Sequence, residues 1–324
     1  MADAFLTALT TLTPRLRSDW LHDAGMPMRL PFPGRPVANL AAMDPWFDAA
    51  RDLPGVKHRY LNNTTRYGLA ATLACLRMSG NTHWCDADEE RRGVYLGTAV
   101  ADYAVRRQVD QAVLAAGAKA LNTVSAPNIS ANIAAAHLAI ASRSRAFATT
   151  LPSPLLAGFE GLYLAVQALQ MGRIDTALSI AAEETVSDAD GAQVMPGAVV
   201  LQLHSGHSGG GRRIAATAWG SLDDPALAAR GSTGRLLKQA GAFAGIAQLV
   251  VLRDASETGA ACATCWLRWL NAAGMSTSSR VELAFSSIGA VEPLLWAAYW
   301  LTQDRPILLI AIHQRRYLAF LSTP

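Results

Sequence analysis

Residues 147–181, FATTLPSPLLAGFEGLYLAVQALQMGRIDTALSIA, decide the fold class. Residues 147–150 (FATT) read as a short strand. Pro152 and Pro154 interrupt the chain, because proline fixes φ and removes a backbone donor. Residues 156–171 (LAGFEGLYLAVQALQM) have the length and apolar spacing of a buried helix, stopped by Gly172. Residues 175–181 (DTALSIA) are a short apolar run of the kind that forms a strand covered on both faces. A strand, a helix and a second strand joined this closely form a crossover unit, which builds a parallel sheet.

The same alternation extends in both directions. Upstream, residues 131–142 (ANIAAAHLAIAS) are an alanine-rich helix, 99–117 read as helical and 93–97 (GVYLG) as a short buried strand. Residues 62–79 carry Tyr67, Leu69, Ala70, Leu73 and Leu76 at helical spacing, and residues 4–13 read as a strand. Downstream, 197–203 and 212–219 read as two strands around the turn SGHSGGG. Residues 1–220 thus follow the order β-α-β-α-β-α-β-β. Beyond them, 234–247 and 260–273 are expected as helices, 280–285 as a strand, 290–301 as a helix and 306–322 as a hairpin turning at 313–316. The expected fold is α/β. It has two related halves, 1–220 and a shortened 221–324, packed as one compact unit.

Composition narrows the function classes. The chain has 324 residues, of which 51% are hydrophobic and 16% charged, with a formal net charge of +3. So small an excess of scattered basic residues argues against nucleic acid. The apolar excess points to a subunit interface. Four cysteines (Cys75, Cys85, Cys262, Cys265) suit a reduced, cytoplasmic protein better than a disulfide framework. No secretion signal and no membrane span are expected. Cys262-x-x-Cys265 has no second pair, which argues against zinc. No metal or other cofactor is expected. His137 is expected as a core residue, Trp266, Trp269, Trp296 and Trp300 as packing residues, and Glu183 and Glu184 as surface loop residues.

Five stretches between about residues 60 and 220 resemble, in order, motifs of the beta-ketoacyl synthase family within the thiolase superfamily. Arg66-Tyr67-Gly68-Leu69-Ala70 is similar to "SRYALAA", and Glu90-Arg91-Arg92-Gly93-Val94-Tyr95-Leu96-Gly97-Thr98 to "ERTGVVVGT". Pro127-Asn128 with Ala131-Asn132-Ile133-Ala134-Ala135-Ala136-His137 resembles "PNMAAGHVAI". Gln170 to Leu178 resembles "RGDADVMIAGG", and Asp190-Gly191 onward resembles "DGFVLGEGAGVLVL". The resemblance implies a thiolase-like layered α/β/α/β/α fold. It also implies a nucleophilic cysteine between a strand and a buried helix, where the helix N-terminus favours the thiolate. Counting back from Gly172 puts that position near Leu155, with no cysteine in reach; Ser153 is close by but would need an activating base. The family's two histidines are absent at their competing candidate positions, Arg235 and Ser287.

This pattern resembles a chain length factor. In such a subunit the resemblance implies no activity alone, a catalytic ketosynthase partner, an acyl carrier protein nearby, and a tunnel for a polyketide, polyene or fatty-acid-like chain. The 147–150 strand, with Phe147, Thr149 and Thr150, is expected to pair across the dimer axis. Segment 124–132, with Ser125, Ala126, Asn128, Ile129 and Ser130, is expected to approach the tunnel. Two other readings stand beside this one. Gly206-His207-Ser208-Gly209-Gly210 matches G-x-S-x-G, with Asp254 or Asp304 and His313 later in hydrolase order, so a serine hydrolase acting through Ser208 is one. An inactive, acyl-binding homodimer is the other.

Overall fold

The computed structural model describes residues 3–13, 46–78, 84, 87–121, 126–184, 186–187, 193–206, 212–221, 231–242, 246–275, 277–285, 289–301 and 303–323. In chain order the main strands of the first half are β1 (Ala4–Leu12), β2 (Arg92–Gly97), β3 (Phe147–Leu151), β4 (Thr176–Glu183) and β5 (Gly197–Ser205). Those of the second half are β6 (Arg212–Ser221), β7 (Ile246–Asp254), β8 (Thr277–Phe285), β9 (Ile307–His313) and β10 (Arg316–Thr323). The main helices are α1 (Asn63–Met78), α2 (Tyr103–Ala116), α3 (Asn132–Ser142), α4 (Ala157–Gln170), α5 (Ser232–Ala242), α6 (Glu257–Ala272) and α7 (Val291–Leu301).

The ten strands run β8-β7-β9-β10-β6-β1-β5-β4-β2-β3. Outward from the centre, each half repeats one pattern. β1 pairs antiparallel with β5, β5 antiparallel with β4, β4 parallel with β2, and β2 parallel with β3. β6, β10, β9, β7 and β8 follow the same sequence of senses. The two copies join where Ala4, Phe5 and Leu6 of β1 pair with Ile214, Arg213 and Arg212 of β6. In strand order, β6 holds the place in the second copy that β1 holds in the first.

Three apolar clusters give the layers. α4 and α7 share the central cluster with inward residues of both copies, such as Val199, Leu201, Val250, Leu309 and Phe320. α1 and α3 cover the other face of the first copy over Val94, Leu96 and Ile180. α5 and α6 cover the second over Leu249, Val251 and Ile310. The result is the expected α/β/α/β/α stack. Every residue of α7 is buried, which explains its unbroken apolar sequence. Trp266, Trp296 and Trp300 are buried in the core, and Trp269 packs against it. His137 is half-buried.

One element was misread from sequence. The helix expected over 234–247 ends at Ala242, and Ile246 opens a nine-residue strand, β7. β7 lies between parallel neighbours and is buried on both faces. It therefore lacks the alternation that marks a half-exposed strand, and a short apolar run of this kind cannot be told from helix by periodicity. With β7 in place the second half holds a counterpart of each of the five strands, with one helix, where the first half has α2 and α3, between its second and third strands. Among the described residues no helix is long and apolar enough to cross a membrane.

Candidate functional site

The crossover after β3 brings the N-terminus of α4 to the carboxyl ends of β2 and β4. Gly97, the last residue of β2, permits this. A Cβ there would fall under 3.0 Å from the backbone of Ala157 and Gly158. At the turn into the helix, Leu155 has φ 59°, in the left-handed region, and is 1% exposed. A residue with a Cβ pays about 1–2 kcal/mol for that conformation. Leu156 N–H donates to the Pro154 carbonyl at 2.6 Å and closes the turn. Ser153 Oγ donates to Glu160 Oε2 at 2.8 Å, so its hydroxyl faces a carboxylate in the first turn of α4 and has no histidine partner in that contact.

α7 meets α4 at this end. A Cβ on Gly158 would lie 3.1 Å from Leu294 Cβ, so glycine sets the closeness of the two helices. Glu183, the last residue of β4, sits between the segment that follows β2 and the start of α7. Its Oε1 accepts from Ala99 N at 2.6 Å and Ala290 N at 2.9 Å; its Oε2 accepts from Thr98 Oγ1 at 2.8 Å and Val100 N at 3.1 Å. It is fully buried, and burial pushes its pKa up while the four donors pull the other way. Glu184 is 3% exposed and accepts from Ala104 N at 3.0 Å; burial raises its pKa to about 7. These two carboxylates were expected on a surface loop. Instead the strand runs to Glu183, the segment 98–100 and the start of α7 close over Glu183, and the first turn of α2 meets Glu184. Glu292, in the first turn of α7, is 5% exposed, and burial alone raises its pKa to about 7.

The corresponding end of the second copy carries a second polar cluster. Asp254 ends β7 and accepts from Ser256 N at 3.0 Å, and also from Ser256 Oγ and Gln314 N. His313 ends β9, with Nδ1 3.1 Å from Asp254 Oδ2. The hydrogen bonds hold the pKa of Asp254 below the usual carboxylate range against the opposing effect of burial. Cys262 is buried and its thiol donates to the Gln314 carbonyl at 3.0 Å, so it ties α6 to the β9–β10 turn. Burial raises the Cys75 thiol to about 11, which leaves it inert. Among the described residues no group of three metal-ligating side chains forms.

The other sequence candidates fall as follows. Arg235 stands on the exposed side of α5 in an outer layer, whereas Leu155 is in the central one. Ser125, Ser208 and Ser287 lie outside the described residues. Gly206 and Arg212, which flank Ser208, lie at the end of β6 opposite the turn that carries His313. That strand of ten residues spans about 30 Å. Asp304 is exposed and 3.7 Å from Arg212. Ala126 is in a 3-10 turn, Ala126–Ile129. Asn128 is buried and donates to the Tyr60 carbonyl at 2.6 Å, Ile129 is half-buried and Ser130 exposed. Phe147 is 41% exposed at the start of β3, which among the described residues is an edge strand of the sheet; Thr149 and Thr150 are half-buried.

The sequence profile of the beta-ketoacyl synthase N-terminal domain matches residues 34–203, just over half of the chain. The chain belongs to the beta-ketoacyl synthase family. No curated protein matches it. Among solved structures, it is similar to a type II PKS acyl-carrier protein complex with its ketosynthase bound to the hexaketide. The match has TM-score 0.73 and 15% identity, over 99% of this chain and 98% of that one. It is similar to the ishigamide ketosynthase/chain length factor, with TM-score 0.68 and 19% identity, over 99% of both chains. It also resembles a beta-ketoacyl synthase from Burkholderia phymatum STM815, with TM-score 0.63 and 15% identity, over 100% of this chain and 99% of that one. At these identities the likeness concerns the fold, and this ketosynthase-like chain carries it over its whole length.

Proposed function

We propose that this chain is a non-condensing, chain length factor-like subunit. In this reading it pairs with a catalytic beta-ketoacyl-ACP synthase in the cytoplasm and shapes the channel that receives a growing polyketide, polyene or fatty-acid-like chain. One observation carries the reading. The strand-to-helix turn that would present a nucleophile keeps its left-handed backbone at residue 155, yet the side chain is a buried leucine. Leucine cannot be acylated, and the nearest hydroxyl, Ser153, is engaged by Glu160. The turn is retained as architecture for α4. The free edge of β3 suits pairing with a subunit of related fold, because it leaves a row of backbone donors and acceptors open.

Asp254 and His313 do come together, which is the part of the hydrolase reading that geometry favours. The strand ends flanking Ser208 stand on the other side of β6, which weighs against that serine as their nucleophile.

The test is co-expression of the tagged chain with an untagged ketosynthase from the same gene neighbourhood, followed by pull-down and native mass. A one-to-one heterodimer is the expected result. A stable monomer or homodimer that captures no ketosynthase overturns the proposal. Given a heterodimer, Ser130→Trp should shorten the products; unchanged lengths would remove segment 124–132 from the channel wall.

A further inference from the structure

A groove of about 350 Å³ runs along the flank of α4 that faces away from α7, between that helix and the ends of β6 and β10. Leu151, Leu156, Tyr163 and Leu318 make much of its wall, and Leu164 and Trp219 stand at its rim. Leu156, Tyr163 and Leu164 recur at helical spacing, so the groove follows α4 for about two turns, roughly 12 Å. Leu164 is 38% exposed and Trp219 is 62% exposed. Large apolar side chains left open around an apolar hollow mark a contact surface.

Two further features indicate what covers it. First, Leu151 is both a wall of the groove and the last residue of β3, so the groove continues directly from the free strand edge, where Phe147 is also exposed. An open edge is a template for another strand, so the occupant is a chain that brings a strand of its own. Second, the groove carries Glu160, already engaged by Ser153, and Arg316, which has no ion pair among the described residues. The occupant should therefore offer an acidic group beside its apolar one.

Resting on the heterodimer reading above, we infer that this groove seats a large apolar side chain of the ketosynthase partner, with a partner carboxylate meeting Arg316, as a second anchor beyond the β3 edge. Buried aromatic and aliphatic anchors of this kind dominate binding at such interfaces.

The experiment compares Trp219→Glu and Leu164→Glu with the unaltered chain in ketosynthase capture. Both side chains are exposed, so folding, checked by thermal melting, should persist. A photo-cross-linking residue at position 164 gives an independent readout. The expected result is capture weakened about tenfold or more by either variant, and a cross-link from position 164 to the ketosynthase. Full capture by both variants, with no cross-link, overturns the groove while leaving the heterodimer standing. A cross-link only to a second copy of this chain assigns the groove to self-association and also overturns it. No capture by the unaltered chain is instead the failure of the heterodimer reading.

Discussion

Replacing Glu292 with glutamine should stabilise the protein by an amount that grows between about pH 4.5 and pH 7 and is constant above it. Glu292 is 5% exposed, and burial alone raises its pKa from 4.5 to about 7. A carboxyl whose folded-state pKa is raised binds its proton more tightly in the native state. Its contribution is therefore neutral below the unfolded value, near 4.5, and becomes increasingly unfavourable as pH rises through about 7. At 1.36 kcal/mol for each tenfold change in proton affinity, the full penalty is about 3 kcal/mol, reached above pH 7. Glutamine has the same shape and no charge, so Glu292→Gln should exceed the original chain by under about 1 kcal/mol at pH 5 and by about 3 kcal/mol at pH 8. The assay is urea unfolding at both pH values and one fixed protein concentration, because association would shift the midpoint. The difference between variant and original chain isolates this group, since Glu184, also raised to about 7, contributes equally to both. An equal difference at both pH values, or a variant weaker at pH 8, would refute the reasoning.

Three more outcomes follow from the geometry. Gly97→Ala should cost about 3 kcal/mol or more, read by thermal melting, because its Cβ would press on the backbone of Ala157 and Gly158, which cannot move without displacing α4. Glu183→Gln should cost about 2–5 kcal/mol in denaturant unfolding, because it sets an amide donor against backbone N–H groups that now meet a carboxylate oxygen. Asp175→Asn should cost under about 1 kcal/mol. Its carboxyl, held low by Arg91 at 2.7 Å, forms a pair that stays largely in solvent.

The spacing from Gly172 back through the helix led to Leu155, and the structure puts a left-handed turn at that residue. The polar environment could not be read this way. Glu183 and Glu184 look like any acidic pair after a strand, because nothing local says that the segment after β2 and the start of α7 will close over Glu183, or the first turn of α2 over Glu184. Asp254 and His313 were noticed only as late members of a hydrolase order. Their contact depends on β7 and β9 being neighbours, and β7 itself was missed. A useful signal was present in the run Ile246 to Leu252, which is too short for a helix of its own and is rich in β-branched residues.

The sequence by itself determined most of the helices and strands and their order along the chain, because helix and strand periods and the breaks at proline and glycine are local properties; the layering came only from the family resemblance. It also determined the absence of a cysteine at the turn, since that is a matter of residue identity alone. Only the tertiary structure decided that the second half repeats all five strands of the first, that the segment after β2 and the start of α7 meet on one buried carboxylate, and that an apolar groove opens beside the edge strand β3. These depend on strand neighbours more than a hundred residues apart and on which faces lose their water. Burial and pairing over such distances are set by the packed whole, and no short window of sequence contains them.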